Sequence, residues 1–263
     1  MSDLGTFPFG IPVEKVEQKD RTPKKIFVLG VYSNPVNARW LFPDGKTFIM
    51  AVAIANEPDI YWRGNPQYVN KILSGIKVPP EMGSLVAAHK NLNGAAGRAL
   101  DYNLLNPLGL KRSQTWLCDL IPYALANKSQ RKALRKYFGY MEKYDLPAPR
   151  LKPDTIKSKL INKQRIDEIV QEVKESQADL LITLGDLPLH HFVRVFNENI
   201  KSLSSFEKYG QIEDINIDGK KMMLLPVVYP RQAGKKGKYS KRWYGIHNWW
   251  VNNEAEEILK DII

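Results

Sequence analysis

Lys25-Ile26-Phe27-Val28-Leu29-Gly30 is a short apolar run behind a charged lead-in, and it ends on glycine. A run of this length and composition reads as a strand buried on both faces, of the kind parallel sheets need, stopping at a functional turn. Three later stretches share the form: Thr115-Trp116-Leu117-Cys118-Asp119-Leu120, Asp179-Leu180-Leu181-Ile182-Thr183-Leu184-Gly185, and Met222-Met223-Leu224-Leu225-Pro226-Val227-Val228. Helical periodicity covers 67–76, 94–105, 129–140 and 164–177, the last with Ile166, Ile169, Val170 and Val173 on one stripe. Strands alternating with helices predict an α/β fold, a four-stranded parallel sheet covered on both faces, with ligands at the strand C-terminal ends. A small extra β element is expected at 47–55 and at 212–217, the latter turning at Asp218-Gly219 into the fourth strand. Residues 1–23 read as an N-terminal strap, and 24–263 as one domain.

The chain has 263 residues, with 39 Lys and Arg against 28 Asp and Glu, a formal charge of +11. That balance suits a polyanion, because each neutralised phosphate releases counterions. The single cysteine, Cys118, forms no internal disulfide and points to a reducing, cytoplasmic setting. One thiol cannot build an iron–sulfur cluster, nor the His/Cys/Cys zinc site of a nucleobase deaminase. The four histidines, His89, His190, His191 and His247, lack metal-ligand spacing, so no metal and no cofactor is expected. No stretch approaches the ~18 uncharged residues of a membrane span. DNA, RNA and an acidic membrane surface all fit the charge, no membrane span is expected, and the expected state is a monomer. Residues 254–263 carry Ile258, Leu259 and Ile262 at helical spacing, and Trp243, Trp249 and Trp250 before them read as core.

Taken in order, the four strand ends resemble those of the uracil-DNA glycosylase superfamily. The resemblance covers residues 24–250 as a pattern of segments, and none of its motifs is specific alone. It implies a four-stranded parallel sheet flanked by helices and a DNA base-excising activity. The first turn, Gly30-Val31-Tyr32-Ser33-Asn34-Pro35, then carries the water-positioning residue and walls the base. The family usually places Asp, Asn or Glu before a proline two residues after the glycine. Here Tyr32-Ser33 fills those places, or Asn34-Pro35 is the matching pair in a longer loop. Asn34 is the choice for positioning water, with Tyr32 and Ser33 against the base. In Cys118-Asp119-Leu120-Ile121-Pro122 the resemblance puts Asp119 where the family reads the flipped base, often with Asn. Gly185 falls at a sheet-to-helix joint. Tyr229-Pro230-Arg231-Gln232 stands where the family has a His-Pro-Ser or Asn-Pro-Ser turn, whose first residue stabilises the departing base.

Cleaving an N-glycosidic bond needs an aligned water and donors aimed at the base, and Tyr229 and Arg231 offer such donors. A duplex base must first be flipped out, at a cost of a few kcal/mol offset by phosphate contacts. Arg231, Gln232, Lys235, Lys236, Lys238 and Arg242, spaced by small glycines, suit those contacts. Asp119 bears on the substrate. Uracil offers an acceptor at O4 and a donor at N3, which suits an Asn amide, whereas the N4 amine of cytosine donates to a carboxylate. Ordinary cytosine is too abundant to be excised, so the reading is a modified cytosine. The alternatives are a uracil-excising enzyme, a non-catalytic DNA-binding protein on the same fold, and a metal-dependent nuclease holding magnesium through Asp119 and Asp186. An enzyme acting on free nucleosides leaves the late basic segment unexplained. The residues Asn93-Gly94-Ala95-Ala96-Gly97-Arg98 read either as a phosphate seat or as a packing feature. Lys128, Arg131, Lys132, Arg135 and Lys136 read as a solvated helix face.

Overall fold

The computed structural model describes residues 4–235 and 240–260. The strands are β1 (Ile26–Tyr32), β2 (Pro35–Leu41), β3 (Thr47–Asn56), β4 (Ser84–Ala87), β5 (Thr115–Ile121), β6 (Leu180–Leu184), β7 (Glu213–Ile217) and β8 (Lys220–Val227). The helices are α1 (Pro66–Ser74), α2 (Ala95–Leu100), α3 (Lys128–Met141), α4 (Lys157–Leu160), α5 (Lys163–Ser176), α6 (Asp186–His191), α7 (Pro230–Ala233), α8 (Ser240–Asn253) and α9 (Ala255–Leu259). A π-helical turn, Asp101–Leu105, follows α2. The class is α/β: a five-stranded, mostly parallel sheet flanked by helices, and a separate three-stranded antiparallel sheet. The chain divides into two compact units.

The first unit comprises Met1–Val16, Tyr32–Gly97 and Pro122–Lys157. Its sheet has the order β3-β2-β4, with β2 antiparallel to both neighbours. Val36, Ala38 and Trp40 alternate along β2 and are fully buried, the period-2 signature of one face turned to a core. Phe9 packs on Trp40 and edge-on to Tyr137, each at 5.3 Å. The Tyr137 hydroxyl accepts from the Phe9 N–H at 3.1 Å and donates to the Pro147 carbonyl at 2.9 Å, so its burial leaves no polar atom stranded. Helix α3 starts on a reciprocal cap between Asn127 and Gln130 and buries Ala133 and Tyr137.

The second unit comprises Glu17–Val31, Arg98–Ile121 and Ser158–Ile263. Its sheet runs β5-β1-β6-β8-β7, with β1 parallel to β6 and β6 parallel to β8. The direction of β5 follows from α5. Near its start, Arg165 of α5 meets the carbonyls of Asp119 and Leu120, late in β5. Two turns on, Glu172 meets the indole of Trp116, early in β5, so strand and helix are antiparallel. The helix then passes directly into β6, so β5 runs with β6 and β1. Phe27 and Trp116, each the second residue of its strand, stack in agreement with that.

Two sequence expectations change here. The sheet has five strands rather than four, because the hairpin strand β7 joins its edge, antiparallel to β8. That hairpin turns as expected on Asp218 (φ 48) and Gly219 (φ 89), the two positive φ values of its tight turn. Gly30 does not end β1 either. It takes strand geometry, and β1 continues to Tyr32.

Candidate active site

The C-terminal ends of β1, β5, β6 and β8 lie along one edge of the sheet in the second unit. In chain order these strands are arranged 2-1-3-4. The chain leaves β1 toward β5 on one side, then returns to build β6 and β8 on the other. Crevices in parallel sheets form at such a reversal, here between the ends of β1 and β6. Glycines flank it: Gly30 within β1, and Gly185 directly after β6.

Gly185 has φ +82, a conformation few side chains tolerate. Its N–H donates to the Val227 carbonyl at 2.7 Å. A β-carbon there would stand 3.7 Å from the backbone nitrogen and Cβ of Tyr229, so this joint brings the ends of β6 and β8 close together.

Asp119 is 3% exposed. Trp116 and Cys118 both reach α5, so strand alternation turns Asp119 to the opposite face of the sheet. Arg165 fixes the backbone there from the α5 side. Its guanidinium donates to the Asp119 carbonyl at 2.8 Å and the Leu120 carbonyl at 3.2 Å, and pairs with Glu168 and Glu172. The adjacent Cys118 is held as a neutral thiol: burial, with the Glu172 carboxylate beside it, pushes its pKa well above the ordinary thiol value. It is therefore no nucleophile.

Tyr229 precedes α7 and is half-buried, Pro230 opens the helix, Arg231 is exposed and Gln232 half-buried. This turn is tied down by a polar chain that sequence reasoning missed. The Val228 N–H donates to the Tyr209 hydroxyl at 3.1 Å, and that hydroxyl lies 2.6 Å from His247 Nδ1. His247 Nε2 meets the Asn103 carbonyl at 2.5 Å, and the Asn103 amide donates to the Pro230 carbonyl at 2.9 Å. A carbonyl only accepts, so Nε2 carries the proton and Nδ1 accepts from the phenol, whose own pKa burial pushes up. His247 is therefore neutral, its pKa lowered by burial despite the Asn103 contact. The partners lie on the π-helical turn, the segment before β7, and α8, far apart in sequence. Only the π-turn, a feature common at functional sites, hints at their meeting.

Replacing His247 by phenylalanine leaves the Tyr209 O–H without its acceptor and removes the imidazole donor from the Asn103 carbonyl, and is expected to cost about 1–3 kcal/mol in urea unfolding at pH 7.5. The unfolded chain binds the histidine proton first as pH falls below about 6.5. The wild type accordingly keeps this stability above that pH and loses it as pH drops toward the lowered folded value. The gap between wild type and variant should narrow at pH 5.5, and an unchanged gap would contradict a neutral His247 with a lowered pKa.

Of the basic residues, Arg231, Lys235 and Arg242 are exposed, Lys235 over the Tyr244 ring and Arg242 over the Trp243 ring. Lys236 and Lys238 lie outside the described residues. Tyr32, Ser33 and Asn34 fall in the first unit: Tyr32 closes β1, and Ser33 (buried) and Asn34 (half-buried) link it to β2. The small-residue run at 93–98 has a packing role. Asn93 exchanges hydrogen bonds with the Asn37 backbone, and a β-carbon at Gly94 would meet the Arg63–Gly64 backbone at 2.1 Å. On α3, Lys128, Lys132, Arg135 and Lys136 are exposed, whereas Arg131 pairs with Asp154. Asp186 opens α6 and accepts from the Leu203 N–H at 2.8 Å, fastening a loop. Among the described residues, no three His, Cys, Asp or Glu side chains group so as to hold a metal ion. Among them, too, no helix is long and apolar enough to cross a membrane. The chain matches no protein-family model and no curated protein.

Proposed function

We propose that this chain is a DNA N-glycosylase, a divergent relative of the uracil-DNA glycosylase superfamily, acting on a modified cytosine. The observation that carries the reading is Asp119, a buried carboxylate on β5 at the strand-end edge where parallel sheets bind ligands. A carboxylate accepts the N4 amine of cytosine and leaves the O4 acceptor of uracil unmatched, and buried mismatches of this kind discriminate strongly. On this reading Tyr229, after β8, donates to the base as the bond from C1′ to the base nitrogen breaks and its electrons leave with the base. Water then bonds to the vacated carbon through its oxygen, and the proton it gives up goes to the departing base. Arg231, Gln232, Lys235 and Arg242 hold phosphates, and the Tyr209–His247–Asn103 chain keeps the Tyr229 turn in place.

Excision on oligonucleotides carrying uracil, cytosine or 5-substituted cytosines, read as alkali-labile sites with chelator present, tests the reading. Alkali-dependent breaks at a modified cytosine are expected. Direct nicks abolished by the chelator would indicate a nuclease instead. Tyr229, standing where the family has His or Asn, is the observation favouring a second reading, a DNA-binding protein without chemistry. Tight binding without abasic sites on any modified base would establish it.

A further inference from the structure

Sequence reading places all three late tryptophans in the core; Trp250 is buried there, Trp243 is half-buried, and Trp249 is exposed. Trp250 is 1% exposed and His247 4%, and the two share one helix face, while Trp249, between them in sequence but turned to the opposite side, is 58% exposed. The buried side is locked. Trp250 meets Tyr209 edge-on at 5.6 Å, and Gly210 passes so close that a β-carbon there would stand 2.1 Å from the indole nitrogen. Trp249 therefore projects from a fixed helix. Turning with it to the outer face are Lys241, Arg242, Ile246, Asn252 and Asn253, all exposed, with Ile246 at 42%. From Ser240 to Asn253 the helix has no carboxylate, and its first acid, Glu254, lies beyond it. Arg242 and Ile246 also wall a cleft of about 390 Å³ whose far side includes Ser204, Glu207 and Lys208.

From this face we infer a contact surface for unpaired DNA, in which Trp249 stacks on a base while Lys241 and Arg242 meet the adjacent phosphates. A large exposed indole on a helix that carries cations and amides but no acid is complementary to a strand offering π-faces and phosphates in alternation. An apolar protein partner would leave the two cations and three asparagines of this helix unmatched. The inference rests on the DNA reading above and extends it, since Trp249 lies outside the residues proposed there.

The test uses the full chain and a labelled oligo(dT) 12-mer at 50 and 200 mM salt, with excision measured in parallel. Trp249→Ala is expected to weaken binding about tenfold with little change in salt dependence, and Trp249→Phe to retain most of it. Lys241→Gln with Arg242→Gln should reduce the salt slope by about 1.4, two phosphates at ~0.7 each. Thermal unfolding of each variant confirms that it folds. Unchanged binding by Trp249→Ala overturns the inference while leaving excision, and so the proposed activity, intact. The expected pattern without any excision supports this surface and overturns the glycosylase. Absence of DNA binding by the wild type, or Trp249-dependent binding to anionic vesicles instead, overturns the inference.

Discussion

Replacing Asp119 by asparagine is expected to lower excision of a modified cytosine by roughly 10²–10³-fold, about 3–4 kcal/mol of transition-state stabilisation. The substitution is nearly isosteric, so the pocket keeps its shape while one acceptor oxygen becomes a donor. That donor opposes the N4 amine of cytosine and suits the O4 of uracil. The same variant should therefore gain on uracil relative to wild type, and the ratio of the two rates is the informative readout. A uniform fall on every base would make Asp119 a structural carboxylate, and an unchanged preference would remove it from base reading.

Replacing Arg165 by methionine is expected to destabilise the second unit by about 3–5 kcal/mol in urea unfolding. Arg165 is 7% exposed, and its loss leaves the buried Glu172 without its cation, holding only the Trp116 indole, and strips a donor from the carbonyls of Asp119 and Leu120. A buried charge without its partner is far costlier than a buried pair. Adding Glu172→Leu to the first substitution should accordingly recover much of the loss, since apolar replacement of a whole buried pair is often neutral. Arg165→Lys keeps the charge but not the forked donor, and should fall between the two. A cost below 1 kcal/mol for Arg165→Met would show that the Asp119 backbone is held without it.

The parallel strands were legible because each is a continuous apolar run, and the β7–β8 hairpin because Asp218-Gly219 fits only a tight turn. Other elements were not. Strand β2 opens with proline and interleaves Asn37 and Arg39 with its buried residues, and β4 is only four residues long. Helix α8 contains Gly245, three asparagines and several aromatics, all middling or poor helix formers. Burial of Trp250 and His247 against the rest of its unit supports it, and neither shows in local sequence. Gly30 misled because an apolar run meeting glycine suggests a stop, whereas the strand runs on to Tyr32. At the candidate site, Asp119 could be read from its place within an apolar run. His247, Tyr209 and Asn103 could not, since each is an ordinary residue until the fold joins them.

Incubating duplex DNA carrying one 5-substituted cytosine with the protein in excess and chelator present, then separating the products by chromatography, shows which bond is cut. Release of the free modified base is expected, leaving an intact strand with an abasic site, with strong loss of release in Asp119→Asn. Release of uracil in preference to every modified cytosine, or intact DNA across a full panel of modified cytosines, would contradict it.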